Sequence, residues 1–221
     1  MTPESPLPHR RTFLRNSILG TTALWTTPGL FAETLTETPS QAEGPFYPDK
    51  LPLDTDNDLI QIQDSITPAV GEITHLSGTV RSANGSPIRN ALVEIWQADQ
   101  EGNYIHTQSR GNGKLDPHFQ GYGRFLTGGK GEYYFRCIKP TPYTRRAPHI
   151  HVAVSLGNQR VLTTQCYIRG HELNAKDFLL NRAPKNLRPL LQIPFEPLVG
   201  SKAGELTAQF DMVIGVTPQD P

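Results

Sequence analysis

The sequence predicts an all-β protein: an antiparallel β-sandwich with an irregular N-terminal arm and one short helix. Three observations predict it. From His75 onward, short runs rich in β-branched and aromatic residues are separated by turn residues. Near the C-terminus, Leu206, Ala208, Phe210, Met212 and Ile214 alternate with Thr207, Gln209 and Asp211, as in a strand with one buried face. Between Gly170 and Pro197 only Asn174 to Asn181 has helical character. This strand count and turn spacing favour two packed sheets.

The elements follow in order. Residues 33–70 contain Pro39, Pro45, Pro48, Pro52 and Pro68 with few periodic apolar positions, so they form an arm ordered only by what it packs against. His75-Leu76-Ser77-Gly78-Thr79-Val80 is the first strand, ahead of the Asn84-Gly85 turn signal. Strands are expected over 91–97 and, after the glycine turn Gly128-Gly129-Lys130-Gly131, over 132–138. Two more, 149–155 and 160–168, flank a turn at Gly157-Asn158. Asn174 is the expected helix N-cap, and Pro184 stops the helix. No period of 20–50 residues marks a repeat.

The N-terminus reads as a twin-arginine export signal. Arg10-Arg11-Thr12-Phe13-Leu14-Arg15 precedes a modest apolar stretch from Ser17 to Trp25, with a small-residue exit near Ala32. That stretch is shorter than the about 20 apolar residues of a permanent span. The expected divisions are therefore a signal at 1–32, the arm at 33–70 and a β-sandwich domain at 71–221. The expected destination is the periplasm or the exterior, and no membrane span is expected.

Without the signal 189 of the 221 residues remain, enough for one domain with a real core. Arg10, Arg11, Arg15 and Glu4 leave with it, so 18 of 21 basic and 20 of 21 acidic side chains remain. No basic patch with interleaved aromatics appears, so nucleic acid is not an expected partner. Cys137 and Cys166 both lie in strand-like text, where small buried apolar residues are common, although an oxidising compartment would permit a bridge.

Candidate chemistry concentrates in Pro148-His149-Ile150-His151-Val152-Ala153-Val154. On a strand, His149 and His151 share a face with backbones roughly 6.5–7 Å apart, so two imidazoles can converge on one ion. Tyr104, in a loop after strand 91–97, and Tyr143, behind Pro140 and Pro142, are candidate phenolate donors. Nitrogen and hard oxygen donors together suit a highly charged iron better than a thiolate-loving ion. A tyrosine taken alone is more often a buried side chain bonded to a carbonyl. His106, two residues beyond Tyr104, is a competing ligand, but its loop setting favours a surface role.

These residues carry a family resemblance. Gly102-Asn103-Tyr104, Leu115-Asp116-Pro117-His118-Phe119, Gly123-Arg124, the run from Tyr134 to Tyr143, Arg146-Ala147-Pro148-His149-Ile150-His151 and Gln165 resemble the intradiol ring-cleavage dioxygenases, most closely the protocatechuate 3,4-dioxygenase branch. Upstream, Thr38-Pro39-Ser40-Gln41-Ala42-Glu43-Gly44-Pro45-Phe46-Tyr47-Pro48 resembles the arm of that family.

The resemblance implies one Fe(III) per chain held by Tyr104, Tyr143, His149 and His151, with Tyr143 also accepting a proton. It implies a catechol-type substrate cleaved by O₂ between its hydroxyl-bearing carbons into a muconate-type diacid, and a homo-oligomer. Arg146 would stabilise negative charge developing on the ring, and Gln165 would hydrogen-bond a reacting oxygen. Gly44, Pro45 and Tyr47 would border the substrate.

One departure bears on the substrate. Only Thr144-Arg145 separates Tyr143 from Arg146, where the protocatechuate branch carries a longer insert. That leaves catechol, hydroxyquinol or a larger lignin-like catechol as candidates. Residues 75–97 also resemble prealbumin-like modules that bind without catalysis, and only the region beyond Tyr104 separates the two readings. A cupin site of two histidines and a carboxylate is disfavoured, because no glutamate follows His151 at short spacing.

Overall fold

The computed structural model describes residues 34–63 and 65–215. The proposed export signal lies outside these residues.

Among the described residues ten strands form two five-stranded sheets. In the first sheet β1 (Ile73–Ser82) is central. β4 (Glu132–Ile138) pairs antiparallel with it, matching Leu76 to Phe135. β9 (Leu206–Gln209) and β10 (Met212–Ile214) pair parallel with successive stretches of β1, and β8 (Glu196–Pro197) borders β9.

The second sheet runs β3 (Tyr122–Leu126), β2 (Ala91–Trp96), β5 (His149–Leu156), β6 (Gln159–Ile168), β7 (Gln192–Ile193). It is antiparallel except for the short parallel pairing of β6 with β7. The sandwich is thus as expected, but both sheets are mixed. Long connections return β7 and β9 alongside earlier strands, and side-chain alternation carries no information about strand direction.

The core lies between the sheets. Leu76, Val80, Phe135, Phe210 and Met212 meet Val93, Ile95, Ile150, Val152 and Val154, all fully buried. Cys137 and Cys166 join this cluster, buried and unpaired, and burial pushes both thiols up, far from a reactive thiolate. Period two then puts His149, His151 and Ala153 on the opposite face of β5, away from the core.

The arm runs from the first sheet to that outer face. Leu35 N donates to Ala83 O after β1, Thr38 N to Val213 O on β10 and Gln41 N to Thr163 O on β6, at 2.7–2.9 Å, and Gly44 then lies against His151. The expected helix is instead a series of 3₁₀ turns: Glu172–Lys176, Leu180–Arg182 and Arg188–Leu191. The His171 ring, not Asn174, caps the first. Asp177 is extended between the first two, and its carboxylate accepts from Leu179 N and Leu180 N. A side chain that bonds nearby backbone in this way competes with helix continuation.

Candidate metal centre

Three strands and two loops build the site. On β5 the His149 Nδ1–H donates to Ala147 O at 2.6 Å, which turns Nε2 inward with its lone pair free. His149 Nε2 and His151 Nε2 lie 3.1 Å apart. The Tyr104 hydroxyl is 3.2 Å from His151 Nε2, so three donor atoms converge. The Tyr143 ring closes the group, with centroids 5.1 Å from Tyr104 and 5.5 Å from His149.

The spacing suits a cation. Donors bound at about 2.1 Å, at nearly right angles, stand ~3 Å apart. Burial and the charge of Arg146 hold both imidazoles below their usual basicity, and His149 adds to this at His151, so both are neutral and able to ligate. Burial pushes the Tyr104 phenol well above its usual range, and the adjoining Tyr143 adds to this. A bound cation reverses that preference by supplying the missing positive charge. His151 Nδ1 is buried without a hydrogen-bond partner among the described residues, so Nε2 is the nitrogen the fold has aimed into the group.

The loops that deliver the tyrosines share one anchor. Asp99 is fully buried and accepts from Glu101 N, Asn103 N and Asp116 N at 2.8–2.9 Å. The carbonyl of Asp99 accepts from the Thr141 hydroxyl, two residues before Tyr143. Thr144 follows with φ of 52°, a left-handed turn that folds Arg146 N back onto Tyr143 O.

Arg146 and Gln165 meet beside this group. Arg146 Nη2 donates to Gln165 Oε1 at 2.6 Å and to the Tyr167 hydroxyl at 3.0 Å. Gln165 Nε2 donates to Ala42 O of the arm. Arg146 Nε donates to buried Asp177 at 2.8 Å.

The arm supplies the cover. Gly44 lies against His151, and Phe46 stacks on Tyr104 with centroids 5.2 Å apart. Pro45 is exposed, and the Tyr47 hydroxyl donates to Glu94. Glu94 also accepts from Tyr122 and Arg160, and Arg160 reaches Glu43 in the arm, which clasps the arm to the sheet. His106 faces Phe46, and its Nδ1 accepts from Gln108 N.

The structure therefore brings together Tyr104, Tyr143, His149, His151, Arg146 and Gln165, with Gly44 and Tyr47 bordering them. Sequence reasoning missed Trp96, Glu94, Asp99, Phe46 and Asp177. Asp99 had a local signal in the turn text Gly102-Asn103, and Trp96 and Glu94 share the strand face of the site. Asp177 had none.

Fold and site together define a class: a β-sandwich with a buried cluster of mixed nitrogen and oxygen donors on the outer face of one sheet. The chain belongs to the dioxygenase family, whose model, described as "Dioxygenase", matches residues 42–213. It is 34% identical over 155 residues to the protocatechuate 3,4-dioxygenase beta chain of Burkholderia cepacia, covering 66% of this chain and 65% of that one. It is 30% identical over 127 residues to hydroxyquinol 1,2-dioxygenase of Nocardioides simplex, covering 49% and 41%. These matches span less than two thirds of the length of either relative. Among solved structures, the dioxygenase domain of a dioxygenase–carbohydrate-binding fusion from Streptomyces sp. SirexAA-E superposes with a TM-score of 0.63. Its identity is 29%, and the match covers 82% of this chain and all of that one.

Proposed function

We propose that this protein is a non-haem iron(III) intradiol dioxygenase. Its substrate is a catechol-type ring, cleaved by O₂ between the two hydroxyl-bearing carbons to give a muconate-type diacid. The observation that carries the reading is the convergence of His149 Nε2, His151 Nε2 and the Tyr104 hydroxyl within 3.1–3.2 Å neighbour distances, in a chain of the dioxygenase family.

Tyr104, Tyr143, His149 and His151 would hold the metal. Ferric iron held there would supply Lewis acidity toward a dihydroxybenzene and O₂. The Tyr143 oxygen receives a hydroxyl proton from the incoming catechol. The Arg146 guanidinium, charged at any working pH, offsets the negative charge that builds on the ring. Gln165 has its carbonyl committed to Arg146 and Tyr167 and one amide hydrogen to Ala42, which leaves one N–H for a reacting oxygen. Gly44, Phe46 and Tyr47 keep water away from the group.

The short Thr144-Arg145 link supports catechol, hydroxyquinol or a larger catechol over protocatechuate. The Arg10-Arg11 motif supports twin-arginine export to the periplasm or beyond, with residues 1–32 as the signal, 33–70 as the arm and 71–221 as the catalytic domain. A homo-oligomer is part of the same reading, and no helix among the described residues is long and apolar enough to cross a membrane.

The test is oxygen-electrode turnover of a catechol panel with product identification. Muconates support the reading, and yellow semialdehydes from cleavage beside the diol refute it. A colourless, iron-free protein from iron-replete cells also counts against it. Replacing Arg10 and Arg11 with lysine and fractionating the cells tests export: retention of the variant in the cytoplasm supports it.

A further inference from the structure

Asp177 is a fully buried carboxylate that no reading of the sequence singled out. It accepts five N–H donors: Arg146 Nε at 2.8 Å, Arg146 Nη2 at 3.4 Å, Ala147 N at 2.9 Å, Leu179 N at 3.1 Å and Leu180 N at 2.9 Å. A carboxylate has about four lone-pair sites, so its capacity is filled by these donors.

The bonds reach the site along two routes. The first passes through Arg146. Asp177 takes the Nε edge, while Gln165 and Tyr167 take Nη2, so the plane of the guanidinium is set from two sides. The second passes through one residue: Ala147 N donates to Asp177, and Ala147 O accepts from His149 Nδ1. The orientation of the arginine and of the first histidine thus depend on the same side chain.

We propose that Asp177 is the positioning residue of this site, holding Arg146 at the angle from which it meets the reacting ring and steadying Ala147, whose carbonyl aims His149. The proposal rests on the dioxygenase reading above. Burial alone would favour the neutral acid, but Arg146 and the backbone donors hold the carboxyl below its ordinary range, so the pair is ionic at neutral pH. A buried, bidentate pair of this kind supplies direction more than net stability.

The experiment is a double-mutant cycle on the full chain with catechol as probe. Asp177→Asn, Arg146→Ala and the double variant are compared for iron per chain, the visible band, anaerobic catechol affinity and steady-state kcat and KM. Asp177→Asn is expected to keep iron and band, to change anaerobic affinity less than about threefold and to lower kcat about 100-fold. In the Arg146→Ala background the same change is expected to cost less than about threefold in kcat, because the route through Arg146 is gone and the asparagine oxygen still accepts from Ala147 N, which keeps the route to His149.

An equal loss in both backgrounds, or wild-type kcat in Asp177→Asn, overturns the proposal. Should Asp177→Asn not fold, Arg146→Lys tests the pair from the other side. Lysine keeps the charge but cannot bridge Asp177 and Gln165 with a rigid fork, so kcat again falls about 100-fold with the band intact. Wild-type turnover in that variant overturns the proposal as well. A wild-type protein that cleaves no member of the catechol panel overturns the dioxygenase reading, and this proposal with it.

Discussion

Trp96 lies face to face with His151, ring centroids 4.8 Å apart and planes 10° from parallel. The two residues are register partners on β2 and β5, so the stack follows from strand pairing. Trp96 is fully buried, and its indole N–H has no partner among the described residues. Its contribution is therefore packing. Trp96→Ala is expected to cost about 3–5 kcal/mol in urea unfolding. Trp96→Phe should cost less, since no hydrogen bond is lost. Both variants should lose iron to a chelator faster than wild type, because His151 loses the surface that keeps its ring upright.

The phenols predict colour. Phenolate bound to ferric iron absorbs visible light by charge transfer, so the protein should be red-brown with about one iron per chain. Tyr143→Phe should weaken the band, and Tyr104→Phe should weaken it and release metal, since it removes a donor 3.2 Å from His151 Nε2. Chelation should also lower the melting temperature. Iron present at about 100 times its dissociation constant contributes about 2.7 kcal/mol through binding the folded state alone. Unchanged melting after complete iron removal would contradict a site in these residues.

Glu94 gives an acid-lability prediction. Burial opposes its ionisation, but the Tyr122 and Tyr47 hydroxyls and Arg160 outweigh burial and hold its carboxyl below the ordinary value of 4.5. A depressed carboxyl contributes stability that is present above the unfolded-state pKa and is lost as pH falls through the folded-state value. Stability should therefore decline with acid below about pH 4.5, and Asp177, also depressed, adds to the same slope. Glu94→Gln should cost roughly 1.5–3 kcal/mol at pH 7 and flatten the acid limb. Denaturant titrations from pH 3 to 7 measure both effects. Protease cutting near residues 41–49 should rise in the variant, because the clasp through Arg160 to Glu43 is loosened.

Much of this site was legible because strand geometry has a period of two. His149 and His151 could be assigned to one face from spacing alone, and the apolar residues between them to the other. The motif text placed Tyr104 and Tyr143 within reach, and alternation at 206–214 announced the sandwich.

Other features leave no local trace. The parallel pairing of β9 and β10 with β1 depends on the path of a long connection, which alternation does not encode. Asp177 sits 30 residues from Ala147 and binds its backbone N–H, a group every residue but proline presents. The segment around Asp177 reads as helix because a carboxylate that caps its own successors looks like any polar helical residue.

Gly44 tests how closely the arm must approach the histidines. Its φ of +80° lies in the left-handed region, and a Cβ there would stand 3.3 Å from His151 Cε1. Gly44→Ala thus meets two penalties: a backbone cost of roughly 1–2 kcal/mol and a contact that either the arm or the imidazole must relieve. The arm yields more easily, because it is held by a few hydrogen bonds whereas β5 is paired on both sides. The variant should keep iron and colour while KM for catechol rises more than kcat falls. Gly78→Ala provides the contrast. It would drive a Cβ into the Phe210 carbonyl, within the sheet that does not carry the histidines, and should lower the melting temperature without changing KM in the protein that still folds. Equal KM values for Gly44→Ala and wild type would mean that the arm does not border the substrate.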